Sequence, residues 1–144
     1  MGMKDPKPTF SYLVQELKKL KLGHMHIVVQ QIAGGTGQES EGDDSIDFLL
    51  DTWDSQSPVL LAGGFTAESA KEVVEQYHDK DIIVVFGRYF ISNPDLPFRI
   101  KEGIELTPYN RAKFYANKNP DGYISYEFSK QFLEADKSHG AIEN

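Results

Sequence analysis

Apolar side chains recur along this chain at two different spacings, and the pattern predicts helices and short strands in alternation. The first helix is predicted to start at Thr9, a residue type that caps helices, and to end before Gly23. Its apolar residues fall three and four positions apart, which predicts a single apolar stripe. The stripe consists of Phe10, Leu13, Val14, Leu17 and Leu20.

Three more helices are predicted further along the chain. One covers residues 45–53, and the next covers residues 66–77 with Thr66 as its cap. The last begins with Asn93 as cap and Pro94 in its first turn, where proline is tolerated. Beyond residue 107 the tail is rich in tyrosine and phenylalanine, so we expect it to dock against the rest of the chain.

Short, continuously apolar runs separate these helices and predict buried strands at residues 24–29, 58–62 and 81–86. Apolar strands that alternate with helices are typical of a parallel sheet with helices on its faces. The sequence therefore predicts an α/β fold with about three parallel strands. An open doubly wound sheet and part of a closed barrel both fit this order. We expect a single domain over residues 1–144.

Composition narrows the classes of function. The chain has no cysteine, which excludes disulfides, thiolate metal sites and a cysteine nucleophile. A net charge of −7 without a basic stripe argues against a nucleic-acid partner. No apolar run approaches the length of a membrane helix, and the start has no apolar signal core, so we expect a cytoplasmic protein with no membrane partner. The acidic segment 33–44 is expected to be a flexible loop rather than a phosphate-binding loop.

The ends of the second and third strands hold the candidate site. Gly63 and Gly64 follow one strand, and Gly87 and Arg88 follow the next. In parallel α/β folds ligands bind at the carboxyl ends of strands, where glycine lets the backbone approach a ligand and arginine binds phosphate oxygens. The sequence therefore favours a phosphate site. The alternatives are a tight glycine turn and an arginine that pairs with a surface carboxylate.

Other polar residues give weaker signals. His24 and His26 lie two positions apart on one predicted strand face, where they could supply two metal ligands. No third ligand follows at a suitable spacing, so packing or wall histidines are favoured and no metal site is assigned. The acidic residues form no obvious catalytic pair.

Several longer stretches together resemble one family. They are PVLLAGGFTAESA, VVFGRYFISNPDLPFRIKEGIELTPYNR, the pair Phe114-Tyr115, and DGYISY. These stretches resemble the carboxyl-terminal part of the old yellow enzyme family, the fungal type in particular, and the resemblance spans about residues 10–132. It implies part of a TIM (β/α)8 barrel, in which the three strands would be the sixth, seventh and eighth.

The resemblance also implies a cofactor and a reaction. Members of the family pass electrons from NADPH to FMN and reduce the activated carbon–carbon double bonds of enones. Gly63, Gly64, Gly87 and Arg88 fall on the turns that hold the FMN phosphate and the nearby ring edge. Tyr115 falls on a tyrosine that lines the substrate side.

The same resemblance leaves out the family's first five strands. Those strands carry the residues beneath the flavin, the pair that binds the substrate oxygen, and the proton donor, so no catalytic residue is assigned. The sequence also departs from the family at Val29-Gln30-Gln31, and Gly64 stands where some members have asparagine.

Two hypotheses about function follow. The first is an FMN-dependent oxidoreductase that acts as part of a complete barrel. The alternative is a non-catalytic remnant, or a module that binds phosphate or FMN. Three strands taken from a closed barrel leave open edges, which predicts self-association or a complementing chain.

Overall fold

The computed structural model describes residues 5–29 and 46–140, without the side chains of residues 138–140. The chain divides into two compact units, Met1–Val85 and Phe86–Asn144, and each is described by itself. The single domain expected over residues 1–144 stays a prediction. The predicted loop 33–44 lies outside the described residues. Within the described part of the chain, no helix is long and apolar enough to cross a membrane.

The first unit is built on a parallel sheet, as the sequence predicts. Its strands are β1 (Met25–Val28), β2 (Val59–Ala62) and β3 (Ile82–Val85), in the order β1-β2-β3. Each strand is shorter than its apolar run by one or two residues at the ends. Ala62 pairs with Val85, so β2 and β3 end at the same level of the sheet.

Three helices accompany this sheet: α1 (Lys7–Lys19), α2 (Asp47–Trp53) and α3 (Ala67–Gln76). Trp53, at the end of α2, is fully buried and donates its indole N–H to the Ser57 carbonyl oxygen at 2.9 Å. Such a bond is what lets a tryptophan enter a core, because an unpaired indole N–H would cost free energy there. The other buried apolar side chains of this unit are Val14, Met25, Val29, Ile46, Leu50, Val59, Leu61, Phe65, Ala70 and Val73.

The predicted start of α1 is wrong. The helix starts at Lys7, directly after Pro6, so Thr9 lies inside it and does not cap it. The apolar stripe is not buried as a unit, because only Val14 is in the core of the described chain. Phe10, Leu13 and Leu20 expose 43%, 46% and 66% of their surface. Periodicity shows that a helix has an apolar face, but it does not show what covers that face.

The cap predicted for α3 is confirmed. The hydroxyl of Thr66 accepts from the backbone N–H of Ser69 at 3.2 Å, and the Ser69 hydroxyl accepts from the Thr66 N–H at 2.9 Å. At the other end of α3, the Tyr77 hydroxyl donates to the Asp47 carboxylate at 2.8 Å. Burial, together with this bond, raises the pKa of Tyr77 to about 12. The pair ties α3 to the start of α2.

Gly63 marks a close approach between neighbouring strand ends. A Cβ at this position would lie 2.4 Å from the Val29 carbonyl oxygen and 2.6 Å from a Val29 methyl group. The Val29 N–H donates to the Ala62 carbonyl oxygen at 2.8 Å, and this bond holds the two segments of the chain together at this point. Glycine is therefore required at position 63 by the packing of the first unit itself.

The second unit contains α4 (Arg88–Ser92), α5 (Leu96–Glu102), a short 3-10 helix (Arg111–Lys113) and α6 (Lys130–Gly140). The sequence predicted one helix capped by Asn93, and this prediction is wrong. Asn93 ends α4, and α5 begins three residues later with Pro97 in its first turn. Instead of capping, Asn93 is fully buried and accepts from the Thr107 N–H at 2.7 Å.

The most buried part of the second unit is polar. Asp95 and Arg99 form an ion pair at 2.7 Å, with side chains only 0% and 7% exposed. Arg99 also donates to the Thr107 hydroxyl at 2.9 Å and to the Glu127 carbonyl at 3.3 Å. The second carboxylate oxygen of Asp95 accepts from both the N–H and the hydroxyl of Ser129. This network connects α5 to two later segments of the same unit.

The hydrogen bonds decide the ionisation of Asp95. Burial by itself would raise the pKa of this carboxyl group. The hydrogen bonds from Ser129 and Arg99 oppose burial and hold the pKa of Asp95 below its usual range. A depressed folded-state pKa means that the carboxylate stabilises the fold above the ordinary pKa of aspartate. That contribution is lost as the pH falls below about 4 and through the depressed value.

We predict that Asp95→Asn lowers the free energy of unfolding by about 3–5 kcal/mol at neutral pH, because it leaves the Arg99 charge buried and unpaired. Urea denaturation followed by circular dichroism measures this change. The control is Asp121→Asn, which breaks the exposed Lys113–Asp121 pair and is expected to change the free energy of unfolding far less than Asp95→Asn does, because solvent screens an exposed pair. Equal effects of the two substitutions would contradict the assigned role of Asp95.

We also predict that Gly63→Ala destabilises the chain by about 1–3 kcal/mol, since the new methyl group must displace Val29. The matched control is Gly87→Ala. A Cβ at position 87 meets nothing within 4 Å, so its expected effect is below about 1 kcal/mol. Thermal or urea unfolding of both variants would refute this interpretation if Gly63→Ala were as stable as the wild type.

Candidate functional site

The first half of the predicted site follows β2. A side chain at position 63 would overlap Val29, so packing within the first unit already explains the glycine there. Gly64 is exposed and has a φ of 76°, in the left-handed region that favours glycine. Two residues later Thr66 caps α3, and the first N–H groups of a helix have no acceptor within the helix. The capping box already occupies the N–H groups of Thr66 and Ser69, so what this turn offers a ligand is the exposed backbone at Gly64.

The second half follows β3. Gly87 is exposed, has a φ of −104°, and offers open space where a Cβ would stand. Neither crowding nor a positive φ within the described chain therefore requires glycine here. The absence of a side chain leaves the backbone after β3 open to close approach by another molecule.

Arg88 is the first residue of α4 and is exposed. Its guanidinium carbon lies over the ring of Tyr109, 5.2 Å from the ring centre. Among the ion pairs of the described residues none involves Arg88, so the alternative of a surface carboxylate partner is not observed there. The cation is available to an anionic ligand.

A cluster of aromatic rings extends from Arg88 through the tail. Tyr109 meets Tyr89 edge-on at 5.2 Å, and it also lies 5.8 Å from Phe114. Phe114 is 9% exposed and confirms that the tail docks, whereas the adjacent Tyr115 is 89% exposed. Tyr109 was not singled out from the sequence. The density of aromatic residues after position 107 was the signal that pointed toward it.

The histidines do not add a metal centre to this picture. His24 and His26 are both exposed, so neither packs into the core of the first unit. No group of three or more histidine, aspartate or glutamate side chains among the described residues is placed to hold a metal ion.

The predicted residues are therefore distributed over the two units. Gly63 and Gly64 belong to the first, and Gly87, Arg88 and Tyr115 belong to the second. The strands that precede both glycine turns are neighbours, and they end together at Ala62 and Val85. Within the second unit, the exposed backbone at Gly87 and the guanidinium of Arg88 are suited to a phosphate group, because the guanidinium donates and neither group carries negative charge.

Comparison with known proteins identifies the family to which this chain is similar. Residues 9–107 match the family described as NADH:flavin oxidoreductase / NADH oxidase. The chain is 50% identical, over 136 residues, to the chanoclavine-I aldehyde reductase fgaOx3 of Penicillium roqueforti (strain FM164). It is 44% identical, over 141 residues, to the aldehyde reductase FrzD of a Cladobotryum species. These matches cover 94% and 97% of this chain, but only 36% and 37% of the two relatives.

A solved structure agrees with these sequence matches. The crystal structure of old yellow enzyme from Pichia sp. AKU4542 superposes with a TM-score of 0.68 at 29% identity, over 87% of this chain and 30% of that enzyme. The three parallel strands and their helices are thus part of a TIM barrel, and the resemblance to the old yellow enzymes is confirmed. The chain belongs to the NADH:flavin oxidoreductase / NADH oxidase family.

Proposed function

We propose that Gly63, Gly64, Gly87 and Arg88 bind the phosphate of FMN in a flavin-dependent reductase, of which this chain forms part of the barrel. The observation that supports this most directly is the pair Gly87-Arg88. An exposed glycine that packing does not require stands beside an arginine without an ion pair in the described chain, directly after a parallel strand. A phosphate monoester accounts for both residues, since it needs a close backbone and a planar cationic donor.

The net charge of the chain makes a specific donor important for binding an anionic cofactor. The chain as a whole carries a net charge of −7, which disfavours the general accumulation of anions on its surface. An anionic cofactor therefore needs specific donors, and Arg88 provides the strongest one at this end of β3. Bound FMN would supply the redox chemistry, and the residues of this chain would hold and orient its phosphate end.

The proposed reaction is NADPH-driven reduction of activated carbon–carbon double bonds in enones and related unsaturated carbonyl compounds. Two relatives are named as aldehyde reductases, which is compatible with a carbonyl-bearing substrate. Tyr115, with 89% of its surface exposed, is the proposed contact of this chain with the substrate. NADPH as the donor and a cytoplasmic location belong to the same proposal.

The rest of the barrel enters the proposal as a partner. Within the described residues, β2 is the one pairing partner of both β1 and β3, so each of these outer strands has an open edge. Val28 on β1 is 77% exposed and Ile83 on β3 is 48% exposed. Apolar side chains on open strands favour pairing with further strands. We propose that either a second copy or the segment bearing the other barrel strands covers these edges.

The alternative function is a phosphate- or FMN-binding module without turnover. It requires only the proposed phosphate site of this chain, which spans about a third of the length of the curated relatives it matches. The two functions share the phosphate site and differ only in whether the flavin ring and the substrate are also held. Binding and turnover therefore have to be measured separately.

We predict that Arg88→Ala weakens FMN binding by about 1.5–3 kcal/mol, the range for a hydrogen bond to a charged group. Binding is measured by quenching of FMN fluorescence, with riboflavin, which lacks the phosphate, as the companion ligand. Riboflavin binding should not change. Arg111→Ala is the matched control, because Arg111 is an exposed arginine in the same unit. Unchanged FMN affinity in Arg88→Ala would refute the proposed phosphate site.

For turnover, we predict that the 144-residue chain with added FMN and NADPH reduces cyclohexenone no faster than free FMN does. The reason is that a phosphate contact does not orient the flavin ring, and orientation contributes about 7–11 kcal/mol to barrier reduction. Adding a polypeptide that carries the remaining barrel strands should raise the rate. Turnover by this chain alone that exceeds the free-flavin rate and is abolished by Arg88→Ala would contradict the need for those strands.

A further inference from the structure

We infer that Tyr109 is a positioning residue, which holds the guanidinium of Arg88 in the orientation that an anionic ligand requires. The inference rests on the proposed function, because it assigns the means by which the proposed phosphate-binding arginine is ordered. Arg88 and Tyr109 belong to the same compact unit.

The geometry of the contact supports this role. The guanidinium carbon of Arg88 lies 5.2 Å from the centre of the Tyr109 ring, within the range in which a cation is attracted to an aromatic face. An arginine that stacks on a ring uses the flat face of its guanidinium, and such stacking takes none of its N–H donors. Stacked in this way, Arg88 would keep the N–H groups at its edge for phosphate oxygens.

An exposed arginine has particular need of such support. Its long side chain has many rotamers, and ordering them on ligand binding costs conformational entropy. Arg88 has no ion pair among the described residues that would limit those rotamers. The Tyr109 ring is its observed contact, so part of the ordering is complete before a ligand arrives.

Tyr109 is itself held from two sides. Tyr89, the residue next to Arg88, meets it at 5.2 Å with an interplanar angle of 77°. Phe114, which is 9% exposed, lies 5.8 Å away on the tail. Two residues before Tyr109, Thr107 accepts hydrogen bonds from Ser92 at 2.8 Å and from Asn93 at 3.1 Å. The ring is thus fixed to the helix that bears Arg88.

The test compares Tyr109→Leu, which removes the ring, with Tyr109→Phe, which keeps it. Tyr123→Leu is the matched control, because Tyr123 is a 49% exposed tyrosine of the same unit and has no ring contact among the described residues. The first readout needs no ligand. Relaxation of the Arg88 Nε–H group by NMR should show an ordered side chain in the wild type, Tyr109→Phe and Tyr123→Leu, and a mobile one in Tyr109→Leu.

The second readout is the affinity for FMN and for riboflavin. Tyr109→Leu should weaken FMN binding about 2- to 5-fold, the range for an exposed cation–aromatic contact, and leave riboflavin binding unchanged. In an Arg88→Ala background the same substitution should cause no further loss, because the two residues would act through one contact.

The outcomes separate the inference from the proposed function. If Arg88 is equally ordered in Tyr109→Leu and the wild type, the inference is overturned whether or not FMN binds. An equal loss of FMN affinity from Tyr109→Leu in the Arg88→Ala background overturns it as well. By contrast, Arg88→Ala with unchanged FMN affinity refutes the phosphate site, while the relaxation measurement still decides whether Tyr109 orders Arg88.

Discussion

The buried ion pair between Asp95 and Arg99 is the constraint on which the second unit depends. Among the described residues of this unit, the buried apolar side chains are Leu96 and Phe114, and one connected set of hydrogen bonds occupies much of the remaining interior. Arg99 reaches the Thr107 hydroxyl, and the end of α4 reaches the Thr107 backbone. Such networks stabilise only when every member is satisfied. Here the network places the segment that contains Tyr109 next to the helix that begins with Arg88.

The two glycine turns show how packing and ligand binding can be separated. Gly63 lies where a side chain would overlap Val29, so the fold of the first unit alone explains it. Gly87 has free space around it and a negative φ, so nothing in the described chain explains it. A glycine of the second kind, beside a cation, is the stronger indicator of a ligand. From the sequence alone, Gly63 and Gly87 are equally strong candidates for a ligand site, because both directly follow a predicted strand.

The partial barrel has consequences for both stability and function. Open strands and an apolar helix face, with Leu13 and Leu20 46% and 66% exposed, are surfaces that we expect further strands to cover. The donors that fit phosphate lie on the strand ends present in this chain. By resemblance to the old yellow enzymes, the groups that orient the flavin ring and the substrate lie on other strands. We therefore propose that cofactor binding and catalysis involve different parts of the barrel.

Sequence alone determined the class of fold, the three strands and the Thr66 cap, because apolar runs and capping residues act over a few neighbouring positions. It also indicated the family, through stretches such as FGRYFISNPDLPFR. Tertiary structure decided what depends on distant partners. Asn93 looks like a helix cap locally, yet Thr107, fourteen residues away, draws its side chain into a buried bond. Asp95–Arg99 looks like a surface pair at helical spacing, yet Ser129 and Glu127 bury it. The contact of Arg88 with Tyr109 likewise arises only when the tail folds back, since no local pattern encodes a partner so far along the chain.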